Sequence, residues 1–137
     1  MTPLVALLFA ALLQMSPAPM ATLARDQMSG IDEPRQSVVR SAAEWTTLWR
    51  AHAGDQPAPK VDFATRTVLA VFLGTRTSAG YAVEIAGTRA EGSGLVVQWS
   101  ERQPERGMVS AQIITSPSHI VTVPKVAGAI RFEKAGQ

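Results

Sequence analysis

Cysteine is absent from the 137 residues, and with it go a disulfide framework, a thiolate metal site, a cysteine nucleophile and the lipid-bearing cysteine of a bacterial lipoprotein signal. Aromatic residues are scarce: one tyrosine, three tryptophans and four phenylalanines, so each becomes a candidate anchor of a core or of a binding surface. Charge of one sign is nowhere concentrated. The 13 Lys and Arg stand against 11 Asp and Glu along the whole chain, which removes the basic tract that nucleic-acid binding needs. Among what is present, 46% hydrophobic residues with only 18% charged suit one modest domain rather than a disordered polymer.

Residues 4–13 read LVALLFAALL, too short for the ~20 apolar residues of a membrane span but of the length of a signal-peptide core. Small residues follow. Cleavage is expected after Ala21 or Ala24, since Pro19 disfavours a cut after Ala18, and Pro17 and Pro19 argue against a continuous buried helix. No Lys or Arg precedes the run, so the amino terminus is its only positive charge. The sequence thus predicts a signal and cleavage region over 1–24, a flexible leader over 25–34, one β-rich domain over 35–134 and a short tail. The expected location is the periplasm or outside the cell, without a lipid anchor or a membrane span in the mature chain.

Ser41 and Glu44 form a capping box, and Trp45, Leu48, Trp49 and His52 follow at i, i+3, i+4 and i+7, with Gly54 as a stop. This spacing predicts a helix over 42–53 with one apolar face. Residues 67–73 (TVLAVFL) are apolar without alternation, which predicts a central strand covered on both faces. Strands are also expected at 36–40, 81–85, 95–99, 108–115, 119–123 and 129–133, with a turn over 88–94. About seven strands and one helix predict a mostly β fold, an antiparallel sandwich or open barrel with the helix packed at one side or end.

The two histidines, His52 and His119, have no partner at metal-ligand spacing, and no Gly-x-Ser-x-Gly elbow occurs. No metal, cofactor or catalytic set is therefore read from the sequence. Trp45 and Trp49 are expected to dock the helix on the sheet; a clamp for a glycan or small ligand would instead expose their rings. A cryptic hydrolase would need a cleft that holds a histidine against a serine or carboxylate. The loop Gly74 to Tyr81 (GTRTSAGY) permits positive φ at both glycines and offers Arg76, Thr77, Ser78, Gly80 and Tyr81 to a partner; the alternative is a plain strand connection with Tyr81 in the core. Thr115, Ser116 and Pro117, with His119 beyond them, are either a turn or a second binding stretch on the same edge.

The order Glu44-Trp45 and Leu48-Trp49, Val61-Asp62-Phe63, an apolar strand ending in Gly74, Thr77-Ser78-Ala79-Gly80-Tyr81 and Thr115-Ser116-Pro117-Ser118-His119-Ile120-Val121-Thr122-Val123-Pro124-Lys125 resembles the C-terminal domain of PrcB-type protease complex subunits, over about residues 38–132. Ala79 stands where that family tends to carry glycine, and Ser118 where it tends to carry an aromatic residue. The resemblance implies an exported, non-catalytic, β-rich domain whose protein partner is a secreted protease that it stabilises or inhibits. The Thr77 to Tyr81 stretch is also similar in type to the Thr-Gly-aromatic loop of chagasin-like peptidase inhibitors.

Overall fold

A computed structural model describes residues 20–136. The apolar run at 4–13 lies outside them. The described chain forms β1 (Ala21–Asp26), β2 (Arg35–Val39), α1 (Ala42–Ala53), β3 (Arg66–Phe72), β4 (Ala82–Glu91), β5 (Gly94–Arg102), β6 (Ser118–Pro124) and β7 (Ile130–Lys134).

The helix has the bounds its sequence signals predict. Ser41 Oγ accepts the Glu44 N–H at 3.3 Å, Glu44 reaches back to the Arg40 N–H at 3.1 Å, and the Gly54 N–H closes the last turn on the Arg50 carbonyl at 2.9 Å. Trp45, Leu48, Trp49 and His52 are its buried face. Each indole N–H finds a backbone carbonyl, Trp45 that of Pro59 at 2.9 Å and Trp49 that of Gln56 at 2.8 Å. The rings are thus spent on the core, and the ligand clamp of exposed tryptophans is corrected.

Two open sheets result. The first has the order β1-β6-β3-β2 and the second β4-β5-β7. All pairings are antiparallel except that of β5 with β7. The first sheet is the middle layer. Val68, Ala70, Phe72 and Ile120 face α1, while Leu69, Val71, Val121 and Val123 face Val83, Ile85, Val97 and Trp99 of the second sheet. β3 is apolar on both faces because both faces are covered, as the unalternating run predicts.

Two expectations are overturned. Residues 25–34 are not a flexible leader: β1 pairs with β6, Ser29 and Ile31 are buried, and the Gly30 N–H bonds the His52 carbonyl at 2.8 Å. Residues 108–114 are not a strand, because no neighbouring strand offers its edge to them; they form an extended connection instead. The count of seven strands holds only because β1 takes the place of that stretch. The supposed turn at 88–94 also shrinks, since β4 runs on to Glu91 and β5 starts at Gly94. Both sequence-expected cut sites, after Ala21 and after Ala24, fall within β1.

Candidate functional site

The loop 74–81 and the residues around 111–116 meet at one end of the molecule. Arg76 and Thr115 exchange backbone bonds at 2.8 and 2.9 Å, Thr115 Oγ1 donates to the Ser78 carbonyl at 3.1 Å, and the Ala79 N–H bonds the Ala111 carbonyl at 2.9 Å. Gly80 has φ +100, and a Cβ there would lie 2.9 Å from Pro104 Cγ. Only glycine fits both the backbone and the contact. The two stretches lie side by side, joined through Arg76 and Thr115.

The roles within these stretches differ from those expected. Arg76 faces inward more than outward: its Nε donates to Glu101 Oε2 at 2.9 Å, its Nη1 donates to the Leu73 and Thr75 carbonyls at 3.1 Å, and its guanidinium lies 5.7 Å from the Tyr81 ring centre. The hydrogen bond from Arg76 holds the Glu101 carboxyl below its usual range, and the same bond raises the Arg76 pKa. Arg76 is thus a brace between loop and sheet. Replacing it by methionine is expected to cost roughly 2 kcal/mol, because Glu101, at 9% side-chain exposure, keeps only Lys134 at 3.4 Å. Urea unfolding checks this, and adding Glu101→Gln should recover part of the loss if the pair is the cause.

Thr115, Ser116, Pro117 and His119 are all buried, so they are no contact surface. Ser116 exchanges backbone bonds with Gln27 and Ser29 at 2.8 and 3.0 Å, and the Pro117 carbonyl accepts the Leu73 N–H at 3.0 Å. His119 ties the layers together. Its Nδ1 accepts the Ile85 N–H at 2.8 Å, and its Nε2 meets Thr22 Oγ1 at 2.9 Å. The register of β4 on β5 slips between Ile85 and Gly87, and the imidazole satisfies an amide at that bulge. An Nδ1 that accepts puts the ring proton on Nε2, which donates to Thr22. Burial, aided by the Arg25 charge and opposed by Glu84, lowers its pKa to about 4.

A second constellation escapes the sequence reading. His52 Nδ1 lies 2.7 Å from Ser29 Oγ and its Nε2 lies 3.0 Å from Asp26 Oδ2, beside a cavity of about 320 Å³. The three residue types are those of a hydrolytic triad. Their setting is not, since Ser29 Oγ accepts the Ile31 N–H at 3.0 Å, Ser29 does not line the cavity, and the Gly30 amide is committed to the His52 carbonyl. A nucleophile needs access and free amides to hold an oxyanion. Ser29, His52 and Asp26 instead fasten β1 and the segment after it to α1.

The apolar surface lies elsewhere on the same end. Met108, Val109, Ile113 and Ile114 are exposed along the connection 108–114, Val109 to 99%; Met28, also exposed, bridges Ser116 and lines the cavity beside His52. These are the exposed large apolar side chains of the described residues. The sequence reading placed four of them in a strand; the one signal against that was the wide interval between Pro104 and Pro117, long for a hairpin.

The scaffold is a mostly β domain of three layers that carries an apolar loop beside a braced glycine loop. Residues 67–124, from β3 through β6 with both loops, match the family model described as PrcB C-terminal. The resemblance read from the residues is thereby shown over this stretch, narrower than the 38–132 expected. No curated protein and no solved structure matches the chain.

Proposed function

We propose that this protein is an exported, non-catalytic binding domain that docks on a secreted protease through the apolar connection 108–114, with Thr77 and Gly80 of the neighbouring loop at its rim. The observation that carries the reading is the exposure of Met108, Val109, Ile113 and Ile114 along one connection, where apolar side chains stay in water at a cost unless a partner covers them. Bonds from Arg76, Ala79 and Ser116 hold the base of the connection, which lowers the ordering cost of association. The PrcB C-terminal match over both loops supports a protease as the partner. Export rests on the run at 4–13. Because β1 uses Ala21 to Asp26, the cut that leaves the fold whole lies before Met20.

Tagged protein mixed with the concentrated secreted fraction of its own cells should retain proteolytic activity. Val109→Asp with Ile114→Asp should weaken that capture at least tenfold while the melting temperature stays within a few degrees, since both side chains are exposed. Unchanged capture by the folded double variant would move the interface away from this loop. Recovery of the uncut chain from the cell interior, shown by intact mass, would remove the export reading.

A further inference from the structure

A groove of about 590 Å³ runs along β2, lined on one side by all five β2 residues and on the other by Ala43, Glu44, Thr47 and Leu48 of α1. β2 is the outermost strand of the first sheet, paired on its inner edge from Arg35 opposite Phe72 to Val39 opposite Val68. An edge strand turns every second N–H and C=O away from its partner. All five β2 residues, whose side chains alternate between the two faces of the sheet, line the groove, so it opens along the free edge of the strand. No proline or inward charge interrupts the strand, which are the usual means of blunting an edge. Its apolar floor is Val39 and Leu48, each 3% exposed.

We propose that this groove binds an extended peptide segment of a partner protein, which adds to the first sheet as a fifth strand between β2 and α1. A strand edge facing a helix across an open groove supplies main-chain bonds on one side and side-chain pockets on the other. Five residues of edge span ~16 Å, enough to pair a segment of like length. The ends of the groove differ in charge. Arg35, exposed at one end, spends its Nε on Ser37 Oγ at 3.1 Å, and Glu44 is held at the other end by the Arg40 N–H. The segment that fits therefore carries an acidic residue beside Arg35, a basic residue beside Glu44, and apolar residues at the alternate positions that face Val39 and Leu48. This surface lies outside residues 67–124 and does not depend on the apolar connection.

The test uses isotopically labelled protein and a synthetic peptide, acetyl-Asp-Val-Thr-Val-Thr-Val-Lys-amide. Amide resonances of residues 35–39 should shift on titration and exchange more slowly with solvent in the bound state. A copy with N-methylated valines should bind at least tenfold more weakly, as should Thr47→Trp protein, whose exposed position 47 fills the groove without touching the core; Ala43→Arg serves if that variant does not fold. Arg35→Glu, which leaves both ends of the groove acidic, should remove the preference for the peptide over a copy with Asp and Lys exchanged. Unmoved β2 amides at millimolar peptide would overturn the proposal, as would equal binding of the N-methylated copy. Self-association that protects residues 35–39 and resists the peptide would overturn it in favour of a second copy of the chain.

Discussion

Lowering the pH from 6.5 to 4 should remove about 3 kcal/mol of stability through one side chain, His119. The folded protein holds this imidazole neutral down to about 4, against 6.5 in an open chain. Between those values the unfolded chain binds the proton and the folded one does not, so stability is complete above about 6.5 and falls as the pH drops through the window. At about 1.36 kcal/mol for each pH unit, the span gives the stated amount. Protonation is resisted because the ring is 1% exposed, its Nδ1 already accepts the Ile85 N–H, and Arg25 Nη2 lies 3.3 Å from Nε2. Glu84 and Glu101, lowered by their bonds to Arg25 and Arg76, add losses of the same sign at lower pH, as each carboxylate gains its proton. Urea unfolding at stepped pH measures the slope, and the ring-proton resonances of His119 show its titration directly. His119→Asn, whose Oδ1 can take the place of Nδ1, should start less stable and stay nearly flat from pH 6.5 to 4.5. A His119 ring that titrates near 6.5 in the folded protein would contradict the prediction.

Removing the Trp49 ring should cost about 3–5 kcal/mol, a large share of the 5–15 kcal/mol that holds a domain of this size together. The ring lies between Trp45 and His52, at centre distances of 5.4 and 5.1 Å, and is 8% exposed. Its loss opens a cavity between α1 and the first sheet and leaves the Gln56 carbonyl without its donor. Trp49→Ala should therefore melt far below the parent protein, whereas Thr46→Ala, on the exposed face of the same helix, should move stability by no more than about 0.5 kcal/mol. If Trp49→Ala kept its melting temperature but lost partner binding, the ring would belong to a binding site.

The helix was legible to its last residue because its signals are local: the Ser41 and Glu44 side chains cap nearby amides, and Trp45, Leu48, Trp49 and His52 repeat with the helical period. β3 was legible because burial on both faces leaves an unbroken apolar run. β1 was not. Ala21 to Asp26 has no period of two, and it is a strand because β6 offers it an edge, a fact about residues nearly a hundred positions away. The error at 108–114 has the same origin with the opposite sign, since Met108, Val109, Ile113 and Ile114 have the composition of a strand and find no edge. The site was half legible. Glycines flanking a short loop marked 74–81, but the inward turn of Arg76 depends on Glu101, and the burial of His119 depends on an amide freed by the bulge in β4. Neither leaves a trace in local spacing.

The route from β5 to β7 also governs how the chain can assemble. After β5 the backbone leaves the second sheet, threads β6 between β1 and β3, and only then returns to lie parallel to β5. The first sheet has no centre until β6 arrives, and β1, made first, waits for it through almost the whole length of the domain. The second sheet lacks β7 until that insertion is done. The first sheet cannot close before β6 nor the second before β7, so folding should be slow and governed by distant contacts. A chain threading out of a translocation pore amino end first would have to keep β1 and β3 unpaired with their common neighbour until residue 124 had cleared the exit, and during that interval it would present two bare strand edges to whatever holds or cuts unfolded chains there.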